Sequence, residues 1–211
     1  TTLDVDGFEN VTIDSTGEAN ADNKIDNFTA SADETVTISG DRDLNIDDTV
    51  DATKIDAQSF TGGLVVTLAD EDQEVLGGDG DDVFIIDPAN LNKDDTIEGG
   101  DGDDTIAVND DFDISGGTTD LNNVSGIEAI GIAASGKTVT IDDQSLDSFT
   151  GNTVNVSVLK GSNNNATLNA SGVQNSNATV TFDASEDTGG ASFTISNGND
   201  TFTGSDNTDT V

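Results

Sequence analysis

Short runs in which β-branched or large apolar residues alternate with polar ones recur along the whole chain. They cover residues 11–13, 35–38, 64–68, 137–141, 153–158 and 178–182. A period of two is the mark of a half-buried strand, because successive side chains point to opposite faces. Clusters of Asn, Asp, Gly and Ser separate the runs and supply turn chemistry. Strand centres return every ~8–13 residues, a spacing that suits a β-sandwich and a β-solenoid equally. Only the stretch from Gln144 to Phe149 predicts a helical turn, and the single proline, Pro88, falls in a loop. The expected fold class is therefore all-β.

The pattern also repeats at long range. Val5-Asp6-Gly7-Phe8-Glu9-Asn10-Val11-Thr12-Ile13 returns as Val124-Ser125-Gly126-Ile127-Glu128-Ala129-Ile130-Gly131-Ile132, an offset of 124 − 5 = 119. Gly80-Asp81-Asp82-Val83-Phe84 returns as Gly198-Asn199-Asp200-Thr201-Phe202, an offset of 202 − 84 = 118. Two markers shifted by nearly the same amount indicate tandem modules. Four segments follow: a strand-rich module over 1–68, a glycine–aspartate segment over 69–120, a second strand-rich module over 121–194, and the start of a further segment over 195–211.

Charge changes the picture most. The chain has 43 acidic and 6 basic residues, a formal net charge of −37, and no His, Cys, Met, Trp or Tyr. Carboxylates concentrate in Gly77-Gly78-Asp79-Gly80-Asp81-Asp82-Val83-Phe84 and Gly99-Gly100-Asp101-Gly102-Asp103-Asp104-Thr105-Ile106. Both runs fit G-G-x-G-x-D-x-U-x, with U a large apolar residue, the calcium-binding nonapeptide. Two like charges ~5 Å apart repel by roughly 3 kcal/mol at an effective dielectric near 20. Several such pairs would use up the ~5–15 kcal/mol of a typical domain. The expectation is poor order without divalent cations and order with them.

These runs resemble those of RTX proteins, the calcium-dependent family exported by Gram-negative bacteria through type I secretion. The resemblance covers 77–107 closely and 195–211 loosely. It implies a parallel β-roll of six-residue turns and three-residue strands, with calcium between stacked turns on one edge. The sequence supports that register. Asp95 and Asp104 lie nine apart, and Asp82 and Asp104 lie 22 apart, two nonapeptides plus a four-residue insertion near Pro88 and Asn90. Both full motifs should then stack on one edge and hold one Ca²⁺. The opposite edge carries Asp95, and Val75, nine before Phe84, places Gln73 at the ligand position with Asp70 and Asp72 nearby; whether a second ion binds there is open. Asp200 and Asp209, nine apart like Phe202 and Val211, mark two further half-turns on opposite edges, with stacking partners expected beyond Val211. The expected metal residues are thus Gly77, Gly78, Asp79, Gly80, Asp81, Asp82, Asp95, Gly99, Gly100, Asp101, Gly102, Asp103, Asp104, Asp200 and Asp209, with Ca²⁺ as the cofactor.

Several function classes fall away. A surface this acidic repels phosphates, so no nucleic acid is expected as partner. The same charge opposes anionic membranes, and no apolar run approaches the ~18 residues of a membrane helix, so no direct insertion is expected. No enzyme is expected either: without His or Cys there is no triad base, thiolate nucleophile or ordinary catalytic zinc site. Thr-x-Thr pairs such as Thr35/Thr37 and Thr138/Thr140 are explained by strand propensity, and Glu9 and Glu128 by structural contacts. The marker V-x-G-[FI]-E-x-[VI] and the Thr/Asn/Ala-rich strands resemble modules of RTX-type surface-layer proteins and large adhesins. What this implies is a calcium-stabilised structural component of a bacterial surface layer, extracellular, partnered by itself or by neighbouring modules. The alternative is the stalk of a large RTX adhesin. A solenoid is preferred over sandwiches for the strand-rich modules, since the calcium segment must join both without leaving sheet edges bare.

Overall fold

The protein is described by a computed structural model covering residues 1–17, 22–115, 121, 123–149, 152–159 and 165–211. Its strands, in chain order, are β1 (Thr2–Asp4), β2 (Asn10–Ser15), β3 (Asn23–Ile25), β4 (Asn27–Thr29), β5 (Thr35–Gly40), β6 (Leu44–Val50) and β7 (Lys54–Phe60). Next come β8 (Leu64–Leu68), β9 (Glu74–Leu76), β10 (Val83–Ile86), β11 (Thr96–Glu98), β12 (Thr105–Val108), β13 (Phe112–Asp113) and β14 (Val124–Ser125). The last are β15 (Ala129–Ile132), β16 (Thr138–Asp142), β17 (Thr153–Val158), β18 (Thr167–Gly172), β19 (Thr179–Asp183), β20 (Ser192–Thr194) and β21 (Asn199–Thr203). A 3-10 turn at Ser145–Ser148 falls inside the one stretch expected to be helical.

The chain forms two compact units, Thr1–Thr105 with Asn122–Ile127, and Ile106–Leu121 with Glu128–Val211. In the first, one sheet runs β2-β5-β7-β9-β11-β14 and another β3-β6-β8-β10, while β1 pairs with β4. Successive strands alternate between the two sheets, and every recorded pair is parallel. That alternation follows from turn length: the turns are too short for a crossover helix, so the chain coils and each strand lands on the one a full coil earlier. The second unit is built the same way, from β13-β16-β18-β20 and β15-β17-β19-β21. Both units are parallel β-solenoids. The expected parallel β-roll is present among the described residues, and the strand-rich stretches are solenoids rather than sandwiches.

Inward columns of like residues explain why the register holds. Val36, Ile55, Val75 and Ile97 sit rung on rung in the first unit, each at most 1% exposed. Ile46, Val66 and Phe84 make the facing column. In the second unit, Val154 lies against Val180, and Val156, Phe182 and Phe202 stack in register. The Phe182, Phe193 and Phe202 rings cluster with centroids 5.6–5.9 Å apart. Fully burying one such side chain contributes about 1.5–3 kcal/mol. A one-residue slip would turn a whole column outward, so the apolar phase fixes the polar positions at the turns as well.

Candidate metal centre

Turns that lead from the first sheet to the second pile up along one edge of the first unit. The turn after β7 lies under Gly77–Asp82, which lies under Gly99–Asp104, and the turn of Gly126 follows. Asp79 N donates to the Phe60 carbonyl at 2.9 Å, and Asp101 N to the Gly78 carbonyl at 3.0 Å. Gly99 N donates to the Ser125 carbonyl at 2.9 Å. The stack is tight enough to demand glycine. A Cβ on Gly77 would collide with the Gly99 carbonyl oxygen and Asp82 Oδ2, and one on Gly99 with the Gly126 carbonyl oxygen and Asp104 Oδ2. Gly100 adds a φ of +113°, a backbone conformation that a side chain would strain.

Asp82 and Asp104 point inward from this stack and are both 0% exposed. Asp82 Oδ1 accepts the Leu64 N–H, 18 residues earlier, at 2.8 Å, and its Oδ2 accepts the Gly78 N–H of its own turn at 2.9 Å. Asp104 Oδ1 accepts the Asp82 N–H, 22 residues earlier, at 2.8 Å. Each carboxylate therefore fastens its own turn to the strand start of the coil before. Burial pushes the Asp82 carboxyl above the ordinary Asp range, the two backbone donors pull it back, and Asp81 adds repulsion. The outer aspartates do different work. Asp79, Asp81, Asp101 and Asp103 are exposed, and Asp81 Oδ1 accepts the Asp103 N–H at 3.0 Å.

The remaining expected residues lie elsewhere. Asp95 occupies the other edge, where Gln73 lies one rung below it, as the nonapeptide count from Phe84 requires. Asp95 Oδ1 accepts the Gln73 N–H at 3.0 Å and its Oδ2 the Asn92 N–H at 2.8 Å. Gln73, 4% exposed, spends its amide on the Ala69 N–H and the Val50 and Ala52 carbonyls. Asp200 and Asp209 belong to the second unit, on opposite sheets, and both are half-buried. They stack on earlier coils: Asp200 pairs with Val180, and Asp209 Oδ1 accepts the Ala191 N–H at 2.9 Å. Sequence reasoning missed Asp187, 3% exposed, whose Oδ2 accepts the Ala166 N–H at 2.9 Å. Its signal was spacing, since 209 − 187 equals the 22 of the Asp82–Asp104 pair; without leading glycines it matched no motif.

The donor set suits a hard cation. A carboxylate oxygen holding one N–H keeps capacity for another partner, and calcium takes 6–8 oxygens from carboxylates, carbonyls and water. The Asp82 and Asp104 carboxylates and the carbonyls of Phe60, Gly62, Gly78, Gly80, Gly99 and Gly126, which face the stacked glycines, are all oxygen donors. No nitrogen or sulfur ligand of the kind zinc prefers is present in the chain, which has no His or Cys. Among the described residues no three acidic side chains come together as metal ligands. Also among the described residues, no helix is long and apolar enough to cross a membrane. No protein-family model matches the chain, and neither a curated protein nor a solved structure matches it.

Proposed function

We propose that this chain is a calcium-stabilised structural segment of a bacterial surface layer, of RTX type, exported by type I secretion and folded outside the cell. The observation that carries the reading is the pair of fully buried carboxylates, Asp82 and Asp104, stacked in glycine turns of a chain with net charge −37. Calcium held between these turns would cancel charge where the backbone already binds the carboxylates. Because binding free energy becomes folding free energy when the apo site is not preformed, the roll would complete itself where the ion is abundant. The outward-facing Thr153, Asn155, Thr179 and Thr181 are uncharged, with Asp183 at the end of their face, and suit packing against copies of the chain or neighbouring modules.

Two readouts test the proposal together. Circular dichroism with calcium should show more strand and a higher melting temperature than with chelator. Electron microscopy of concentrated protein with calcium should show ordered sheets that chelator dissolves. Monomeric rods under the same conditions would replace the lattice reading with the adhesin-stalk reading. Identical spectra and melting curves with and without calcium would remove both.

A further inference from the structure

We infer that a second cation site, outside the glycine–aspartate turns, is anchored on Glu34 and binds calcium against the turn of Val5 to Glu9. Glu34 is 2% exposed, and while its Oε1 accepts the Phe8 N–H at 3.1 Å, its Oε2 is buried without a hydrogen-bond partner. A buried carboxylate oxygen left bare is costly, and a cation is the partner that removes the cost. Its place in the fold points the same way. Thr35, Lys54, Glu74 and Thr96 are rung neighbours, so the residues just before them, Glu34, Thr53, Gln73 and Asp95, form one column. Gln73 and Asp95 in this column satisfy both of their polar side-chain atoms through neighbouring backbone, as described above. Glu34 satisfies one and leaves one.

The internal repeat supplies an independent argument. Gly7, with φ +86°, and Gly126, with φ +63°, are the equivalent glycines of the two V-x-G-[FI]-E turns. In the second copy this turn stacks on Gly99 and Gly100, as part of the candidate metal stack. In the first copy the same turn type receives the Glu34 carboxylate on its Phe8 amide. The turn thus stacks on the glycine run that leads to buried Asp104 in the second copy and on the Glu34 carboxylate in the first. Open space surrounds the Cβ position of Gly7, with nothing within 4 Å. Glu9 is the rung neighbour of Glu34 and is exposed, and Asp6 on the same turn takes a hydrogen bond from Ser31. Glu34 Oε2 would be the buried ligand, Glu9 an exposed one, and turn carbonyls and water would fill the shell, as calcium allows.

Equilibrium dialysis of the 211-residue chain against calcium chloride, with bound metal counted, tests the site. Glu34→Gln should bind one ion fewer per chain than wild type and lose part of the calcium-dependent rise in melting temperature. Asp104→Asn should lose a different ion, so the two deficits add in the double variant. Glu9→Gln, an exposed change that leaves the core alone, should weaken the same ion about tenfold and keeps the test open should Glu34→Gln not fold. If Glu34→Gln binds as many ions as wild type with the same melting shift, or if Glu9→Gln leaves every calcium affinity unchanged, Glu34 holds no cation and the site does not exist.

Discussion

Asp82 combines two roles that are usually assigned to different residues. It closes its own turn through Gly78 N and holds the preceding coil through Leu64 N. Hydrogen bonds to a charged acceptor contribute about 1.5–3 kcal/mol each, and a buried N–H left alone costs about 1–3 kcal/mol. Asp82→Ala should therefore destabilise the chain by roughly 3 kcal/mol in denaturant titrations even in chelator, before any effect on calcium. The same neighbours fix the direction of its titration. Asp82 should titrate above the ordinary 3.8, because burial outweighs its backbone donors. Its contribution to stability is present below the ordinary value and is lost as pH rises through the raised one. Asp110 should titrate below 3.8, chiefly through its hydrogen bond from Lys137, and its contribution is lost as pH falls through the lowered value. Carbon-detected NMR of the two carboxyls in calcium-free buffer checks both signs.

At the scale of the element, a turn and its glycine are one object. Gly99→Ala would drive a Cβ into the Gly126 carbonyl and Asp104, and backbone on that side cannot step aside without unpairing Gly99 N from Ser125. The expected cost is about 3 kcal/mol or more in thermal unfolding, at the upper end for overpacking. Gly17→Ala, with nothing within 4 Å of its Cβ position, should cost less than half as much despite its positive φ. Ile97→Ala, in the middle of an inward column, should cost about 2–5 kcal/mol by removing packing on both rungs.

This scale also shows what the sequence could disclose. Nonapeptide counting placed Gln73 beneath Asp95 and Asp82 beside Asp104 because the apolar phase of Val75, Phe84, Ile97 and Ile106 cannot slip without exposing a column. The insertion near Pro88 lengthens the turn between β10 and β11 and leaves the strands in phase. Alternation alone could not separate solenoid from sandwich, since a strand looks the same whether its neighbour lies next in sequence or a coil away. Glu34 and Asp187 stayed hidden for a related reason: neither has the leading glycines, and a lone acid in so acidic a chain carries no mark of burial. That Asp82 and Asp104 hold backbone amides was equally unreadable, because the donors lie 18 and 22 residues away.

For the whole molecule, 43 acidic against 6 basic residues set the conditions under which either unit can stay folded. Cations can act by screening or by binding, and the two are separable. At 1 M salt the Debye length is ~3 Å, so stabilisation by sodium chloride should need molar-range salt and level off once the repulsion is screened. Bound calcium at 100 times its dissociation constant adds ~2.7 kcal/mol per ion, or roughly 5–10 °C for a chain of this size. Magnesium, which demands tighter octahedral geometry and keeps its waters, should do less than calcium at equal concentration. The most direct measurement is thermal unfolding of the wild-type chain and of Asp82→Ala/Asp104→Ala across a calcium titration in constant ionic strength. The account predicts that the wild-type melting temperature climbs with the logarithm of calcium concentration, by roughly 5–10 °C at about 100 times the dissociation constant, and clearly less in the double variant. Curves that coincide with and without calcium, or a rise that the double variant retains in full, would contradict it.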